Sequence, residues 1–290
     1  MRQPSPVAIG AALRRSAGVL LIALVAAGGA LAEAVPTEAA PPPSFAGLVV
    51  FGDSLSDTGN AGRFSDGPVW VERIADRLDI RLTPSRSGGT NYAVGGARSH
   101  GRPMDVRGQL QAYLASPYRR SIAGSLFVVF AGANDLLAAG CTGTRDRVAK
   151  TAAAAVAATV SDLAAAGART ILVPNLPDIG AAPLVQAQGN DCSDQARRLS
   201  HAFNAALESK LEDVERRFRS LHLVRLDAFA LSEQLLAQPE EAGFAHGDAP
   251  CAGDSCSQVL FWDSLHPSAR AHARLAAAAL QALGFPPADQ

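Results

Sequence analysis

The sequence carries little charge for its length. Of its 290 residues 18% are charged, and the formal net charge at pH 7 is -1. A chain without an excess of basic residues lacks the positive surface that nucleic-acid binding needs, so this class of partner is excluded. The low charged fraction and a hydrophobic content of 48% also argue against disorder. They predict a core large enough for one large α/β domain or two small ones.

The cysteines are few, and they lack the pattern of a metal site. None of the four belongs to a C-x-x-C pair or has a histidine pair nearby, which excludes the usual zinc sites. An even number of cysteines favours disulfides if the chain is exported, and three connectivities are possible. We favour Cys251–Cys256, which closes a small loop, and Cys141–Cys192, which would join two segments well separated in sequence.

Only one long apolar run is present, and it lies near the start of the chain. Residues 18–31 follow Arg14 and Arg15 and end in Ala30-Leu31-Ala32, the pattern of a secretory signal peptide cleaved after Ala32. A membrane anchor would need about 20 apolar residues without this small-residue end. No later run is comparable, so we expect a secreted or periplasmic protein with no transmembrane segment in the mature chain. The predicted boundaries are a signal peptide at 1–32, a disordered Ala- and Pro-rich linker at 33–45 and one folded domain at 46–290.

Short apolar runs and helical patterns alternate along the rest of the chain. Each run is rich in β-branched or aromatic residues, as buried parallel strands are. The alternation predicts an α/β fold with a mostly parallel sheet that helices cover on both faces. The predicted strands are Leu48–Phe51, Leu126–Phe130, Ile171–Val173 and Leu221–Leu226, and the predicted helices begin near Pro68, cover 147–166 and 194–219, and run from Pro267 to about Leu283.

Two motifs supply the three groups of a serine hydrolase. Gly52-Asp53-Ser54-Leu55 places a serine just past the first predicted strand, where functional groups of such sheets gather. Asp263 and His266 lie three residues apart before Pro267. A serine hydroxyl needs a neighbouring base, and a carboxylate on Nδ1 holds the imidazole in the tautomer that leaves Nε2 free.

Three groups could donate hydrogen bonds to the oxygen that gains charge during acyl transfer. One is the backbone N–H of Ser54, and the second lies in the glycine pair Gly95-Gly96, where the backbone can approach a ligand closely. The third is the side-chain amide of Asn134, just after the second predicted strand. Singly each pattern is also typical of an ordinary turn or helix cap.

Four segments together resemble the ordered sequence blocks of the GDSL, or SGNH, lipase/esterases. The long first block is similar to the secreted bacterial branch of lysophospholipases, haemolysins and glycerophospholipid–cholesterol acyltransferases. The segments are Phe51-Gly52-Asp53-Ser54-Leu55-Ser56-Asp57-Thr58-Gly59-Asn60, Asn91–Ala97, Gly132-Ala133-Asn134-Asp135 and Asp263–Pro267.

The resemblance implies a fold and a set of roles. The fold is a flavodoxin-like three-layer α/β/α sandwich, the SGNH hydrolase fold. Ser54 is implied as nucleophile, Asp263 and His266 as the charge-relay pair, and Ser54, Gly96 and Asn134 as oxyanion donors. Block alignment favours the second glycine of the pair. No metal or organic cofactor is implied, so no residue is assigned to a cofactor or a metal.

Several patterns in the chain compete with these assignments. Ser255 repeats the GDS letters but follows no apolar strand, and no G-x-S-x-G elbow is present, which argues against the α/β-hydrolase fold. Asp135 is better explained by a helix start than as the triad acid. Asp53 and Asp57 are expected to hold the turn around Ser54.

The sequence favours a secreted serine ester hydrolase that cleaves lipid or short-chain acyl esters through an acyl-enzyme. Alternatives are an acyltransferase that uses an alcohol as acceptor, a carbohydrate acetyl esterase, and an exported binding module without turnover. The expected partner is a small-molecule or lipid ester.

Overall fold

A four-stranded parallel sheet forms the centre of the molecule. The computed structural model describes residues 43–141, 145–251, 256 and 258–287. The spatial order of the four strands equals their order in sequence, and all three pairings are parallel. Nearly every strand residue is buried because helices cover both faces. The strands are β1 (Gly47–Gly52), β2 (Ser125–Phe130), β3 (Thr170–Pro174) and β4 (His222–Leu226), at the four predicted places.

A fifth segment runs parallel to the free edge of β1 without forming a regular strand. The N–H of Tyr92 donates to the carbonyl of Val50 over 2.8 Å, and the N–H of Val94 donates to Gly52 over 3.1 Å. This segment precedes β2 in sequence but lies on the far side of β1. The order is therefore the 2-1-3-4-5 order of flavodoxin-like sheets, with β1 at the switch point. The predicted fold class is confirmed.

Eight α-helices surround this sheet in the described part of the chain. α1 and α8 pack against each other, while α2, α4 and α6 pack in a second group. A short second sheet pairs β5 (His246–Pro250) with β6 (Val259–Phe261) in parallel. The helices are α1 (Trp70–Arg77), α2 (Val106–Leu114), α3 (Ala133–Ala139), α4 (Asp146–Ala166), α5 (Pro183–Gln186), α6 (Asn190–Arg217), α7 (Ala228–Ala237) and α8 (Ala269–Ala282).

The long helices agree with the sequence patterns, and their ends have identifiable causes. α4 stops at Gly167, whose φ of 112° lies in the left-handed region that glycine tolerates. α8 begins two residues later than predicted. Ser268 caps it by accepting from the N–H of Ala271, so Pro267 stands before the cap.

Helix α4 meets the length and composition of a membrane span, although the sequence predicted no such segment after the signal peptide. One face of this helix, which includes Ala149, Ala153, Val156, Val160 and Leu163, is buried in the fold, and the helix packs closely against α6. Composition therefore misleads here, because a core helix under a parallel sheet is as apolar as a spanning one. Of the described residues, no other helix meets the same test.

Both disulfides have the connectivity favoured from the sequence. Cys141 follows α3 and is bonded to Cys192 in the first turn of α6. Cys251 follows β5 and is bonded to Cys256 just before β6. The described part of the chain holds no free cysteine.

Candidate active site

Ser54 lies in a tight turn directly after β1. The strand ends at Gly52, and the N–H of Ser56 donates to the carbonyl of Asp53 over 3.1 Å to close the turn. Gly52 has no room for a side chain, because a Cβ there would lie 2.5 Å from the carbonyl oxygen of Phe130 on β2. The glycine of the motif thus allows the two strands to approach closely, and the serine leaves the sheet at its carboxyl edge.

Asp263 and His266 form a hydrogen-bonded pair in the loop that leads into α8. His266 Nδ1 lies 2.8 Å from Asp263 Oδ2. The other carboxylate oxygen, Oδ1, accepts the backbone N–H groups of Leu265 and His266 over 2.7 and 2.6 Å. Burial alone would raise the pKa of Asp263, but the hydrogen bonds from His266 and Leu265 outweigh it, so the pKa of this carboxyl is lowered. An ionised Asp263 keeps the proton on His266 Nδ1.

The imidazole reaches the serine from the far end of the chain. His266 Nε2 lies 2.9 Å from Ser54 Oγ, across 212 residues of sequence. Since Nδ1 carries a proton toward Asp263, Nε2 is the acceptor of the serine hydroxyl. The three predicted catalytic groups are thus within hydrogen-bond reach in the order that serine hydrolases use.

Two of the predicted oxyanion donors are backbone N–H groups that remain available. Among the described residues, neither Ser54 N–H nor Gly96 N–H has a hydrogen-bond partner. The N–H of Gly95, by contrast, is occupied by Asp57 Oδ2 at 2.8 Å. The structure thus distinguishes the two glycines and leaves Gly96 as the free one. Gly96 is exposed, has φ of 77°, and has nothing within 4 Å of the place where a Cβ would lie.

Asn134 offers the third donor. It lies in the first turn of α3, directly after β2, and lines the same cleft as Ser54. One N–H of its side-chain amide donates to the carbonyl of Ala97 over 2.9 Å. The second N–H of that amide has no partner among the described residues.

Two aspartates hold the turn around the serine, as the sequence predicted. Asp53 Oδ1 accepts the N–H of Leu55 over 3.1 Å. Asp57 accepts four backbone N–H groups, three of them within its own turn and the fourth from Gly95. Asp53 Oδ2 has no partner among the described residues, and burial raises the pKa of Asp53 to about 7.

An apolar cleft of about 140 Å³ opens beside the three catalytic groups. Its walls come from α3, α7, β6 and α8, and nearly all side chains that they contribute are aliphatic or aromatic. The wall residues include Phe130 at the end of β2, together with Leu137, Leu231, Leu235, Leu236 and Leu275. Such a surface binds a hydrocarbon group by burying it from water.

Two residues that support the catalytic groups were not predicted from the sequence. Gln109 on α2 holds the end of β1 with two bonds to Gly52, one to its N–H and one from its own amide to the carbonyl. The ring of Phe64 lies against His266 with centroids 5.0 Å apart. No sequence motif predicts either contact, because each is a tertiary contact between residues that are far apart in the chain.

The competing assignments have different outcomes. Asp135 is not part of the triad, and its carboxylate does not cap α3. It accepts two hydrogen bonds from Ser99 instead. Ser255 lies outside the described residues. No cluster of metal-ligating side chains occurs among the described residues.

The comparison with protein families agrees with this geometry. The family model for the GDSL-like lipase/acylhydrolases matches residues 48–279, which is most of the chain. The chain belongs to this family. The predicted resemblance is confirmed.

Individual curated proteins match the chain at low to moderate sequence identity. Lipase 1 of Photorhabdus luminescens is 36% identical over 149 residues, 48% of this chain but 23% of that protein. The thermolabile hemolysin of Vibrio parahaemolyticus is 27% identical over 78% of this chain and 60% of its own length. The phosphatidylcholine-sterol acyltransferase of Aeromonas hydrophila is 27% identical over 73% of this chain and 67% of its own length. The chain thus spans less than two thirds of the first two relatives.

Solved structures support the fold. A variant of Axe2, an acetyl-xylooligosaccharide esterase of Geobacillus stearothermophilus, covers 86% of this chain and 98% of its own with a TM-score of 0.54. Its sequence identity is 17%, so the likeness concerns the architecture alone.

Proposed function

We propose that the protein is an exported serine ester hydrolase for esters with an apolar acyl group. The observation that carries this proposal is the chain of contacts from Asp263 through His266 to Ser54 at the mouth of the apolar cleft. Residues 46–290 are the catalytic domain in this proposal.

The reaction follows from the roles of the three groups. His266 Nε2 takes the proton of Ser54 Oγ as the oxygen attacks the ester carbonyl carbon, and the imidazolium then protonates the departing alcohol. Water attacks the acyl-serine with His266 again as base, releasing the acid and restoring the serine. The free N–H groups of Ser54 and Gly96 and the amide of Asn134 would bind the oxyanion in both steps.

The acyl group is proposed to lie in the cleft because of what lines it. The leucines of α7 and α8 offer contact to methylene groups and almost no polar atom. A sugar esterase would need hydrogen-bonding side chains around the hydroxyl groups of its substrate, and the described lining has few. This argues against the carbohydrate esterase alternative.

Acyl transfer remains the second candidate because one curated relative is a phosphatidylcholine-sterol acyltransferase. The same acyl-enzyme would then react with an alcohol in place of water. Supplying a sterol or a long-chain alcohol with a phospholipid donor separates the two functions. Free acid as the sole product supports hydrolysis, and an ester of the added alcohol supports transfer.

Replacement of the nucleophile tests the proposal. Ser54→Ala should abolish hydrolysis of p-nitrophenyl acyl esters and labelling by a fluorophosphonate. Its free energy of unfolding should change little, since the hydroxyl contributes little packing. Wild-type activity in this variant would refute the proposal, and so would a folded wild-type protein that neither hydrolyses any ester nor reacts with the probe.

Export is proposed on two grounds, the N-terminal signal pattern at 1–32 and the two disulfides, which persist in oxidising compartments. Cleavage after Ala32 would leave Glu33 as the first residue of the mature protein. Intact mass of the protein recovered outside the cytoplasm checks this, and an uncleaved N-terminus there would contradict it.

A further inference from the structure

The loop that carries Gly96 is fastened at both ends by buried carboxylates. At its start, Asp57 Oδ2 accepts the N–H of Gly95 over 2.8 Å. At its end, Asp135 Oδ2 accepts the N–H of Ser99 over 2.8 Å, and Asp135 Oδ1 accepts the Ser99 hydroxyl over 2.9 Å. Between these two anchors lies the exposed Gly96 N–H, which has no partner among the described residues.

The second anchor links the loop to the helix that supplies the other oxyanion donor. Asp135 is the next residue after Asn134 on α3. Asn134 itself donates to the carbonyl of Ala97, so two consecutive helix residues hold the loop at two places. A rigid turn of α3 thus fixes the separation between the Asn134 amide and the Gly96 N–H.

The two hydrogen bonds between Ser99 and Asp135, which we call the clamp, are buried. Burial makes these bonds strong, and their loss should lower the free energy of unfolding. Ser99 is fully buried and Asp135 nearly so. Burial raises the pKa of Asp135, and the two bonds from Ser99 oppose that rise because they favour the ionised carboxylate. A buried carboxylate without these donors would be unstable, so the bonds and the local geometry support each other.

We propose that Asp135 is a positioning residue of the oxyanion site, which acts through Ser99 to hold the Gly96 N–H in register with the Asn134 amide. This inference rests on the proposed function. Asp135 touches no substrate atom in it. A displacement of about 1 Å in a catalytic group can cost on the order of 100-fold in rate, so a loosened loop should be visible in turnover.

Kinetics on three variants test the role. Asp135→Ala should lower kcat for a p-nitrophenyl ester by about 10- to 100-fold, with KM nearly unchanged, because only the charged transition state uses the oxyanion donors. Asp135→Asn can still accept one bond and donate the other, so it should recover most of the loss. Ser99→Ala should lose a few-fold, and the double variant Ser99→Ala/Asp135→Ala should be no worse than Asp135→Ala alone.

A readout specific to the oxyanion separates positioning from a structural effect. The affinity for a trifluoromethyl ketone, which forms a tetrahedral adduct with Ser54, should fall by the same factor as kcat/KM. All rates are expressed per Ser54 titrated with a fluorophosphonate, which removes the contribution of unfolded protein. Wild-type kcat per titrated serine in Asp135→Ala would overturn the inference.

Ser125→Ala is the control for stability. Ser125 is buried at the first residue of β2, at the opposite end of that strand from α3, and its hydroxyl donates to the carbonyl of Ser121 over 2.9 Å. We expect a loss of unfolding free energy from the missing hydrogen bond, with unchanged kcat per titrated serine.

Hydrogen exchange extends the test to an enzyme without detectable turnover. Amides of residues 95–99 should exchange faster in Asp135→Ala than in the wild type, while those of β1 should not change. Unchanged exchange in the loop would overturn the inference whatever the activity. Failure of the proposed function is recognised separately, by a wild type that is inert toward both esters and the fluorophosphonate.

Discussion

At the scale of single residues, Asp263 is the group whose chemistry the geometry defines most tightly. It accepts three hydrogen bonds, of which one orients His266 and two fix the loop that carries it. An asparagine at 263 would fit the same space, but its amide could donate to Nδ1 and move the imidazole proton to Nε2. The base would then face Ser54 in the wrong tautomer.

Asp263→Asn should therefore lower kcat by about 10,000-fold with little effect on KM. The measurement is steady-state hydrolysis of a p-nitrophenyl ester. Asp76→Asn, at an exposed position of α1, serves as the control and should retain wild-type kcat. A value of kcat within about tenfold of wild type in Asp263→Asn would show that His266 is oriented by another group.

At the scale of secondary-structure elements, α7 forms a wall of the cleft that, under the proposed function, limits how much of an acyl chain can bind. Leu231 faces the cleft from this helix, and Leu235 and Leu236 extend the same wall. Leu231→Trp should fill part of the cavity and lower kcat/KM for an octanoyl ester at least about tenfold relative to an acetyl ester. The estimate follows from the roughly 1–3 kcal/mol that one methylene is worth in an apolar pocket.

The chain-length profile of p-nitrophenyl esters measures this effect. Gln234→Trp adds the same side chain to an exposed position of the same helix and should leave the profile unchanged. Equal loss on short and long esters in Leu231→Trp would mean that the acyl group lies elsewhere.

The secondary-structure elements differ in how far the sequence predicts them. The strands of the sheet were found because each is a short apolar run buried on both faces, and the motif after β1 located Ser54. Helix α7 was missed because it has no clear polar face, since one side packs in the fold and another lines the cleft. The contact between Asp135 and Ser99 has no sequence signal, because it needs a loop and the first turn of α3 to meet across 36 residues.

At the scale of the whole molecule, two buried groups that are both held neutral affect the pH dependence of stability in opposite directions, because one retains a proton on folding and the other loses one. Burial raises the pKa of Asp53 to about 7 from 3.8, so the folded state holds a proton that the unfolded chain loses. Asp53 therefore makes stability fall as the pH rises from about 4 to about 7. Burial above all lowers the pKa of His272 to about 3 from 6.5. His272 therefore makes stability rise with pH from about 3 to about 6.5.

The two effects oppose each other between about pH 4 and about pH 6.5, and removing one should expose the other. Asp53→Asn should become more stable as the pH rises through this window, with a slope of up to about 1.4 kcal/mol per pH unit. The free energy of unfolding of His272→Asn should fall as the pH rises through the same window, with a slope of opposite sign. Urea unfolding at several pH values measures both slopes. Curves for the variants that run parallel to the wild type would show that neither group titrates as described.

The distance in sequence between the nucleophile and its base has a consequence for biosynthesis. Ser54 is synthesised early, but His266 belongs to the segment that leads into α8, which can pack against α1 only after the 212 residues that follow Ser54, up to His266, have been made. A nascent or truncated chain thus carries an inert hydroxyl. Reactivity of Ser54 toward a covalent probe should therefore report when folding is complete, because it begins only when α8 has docked against α1.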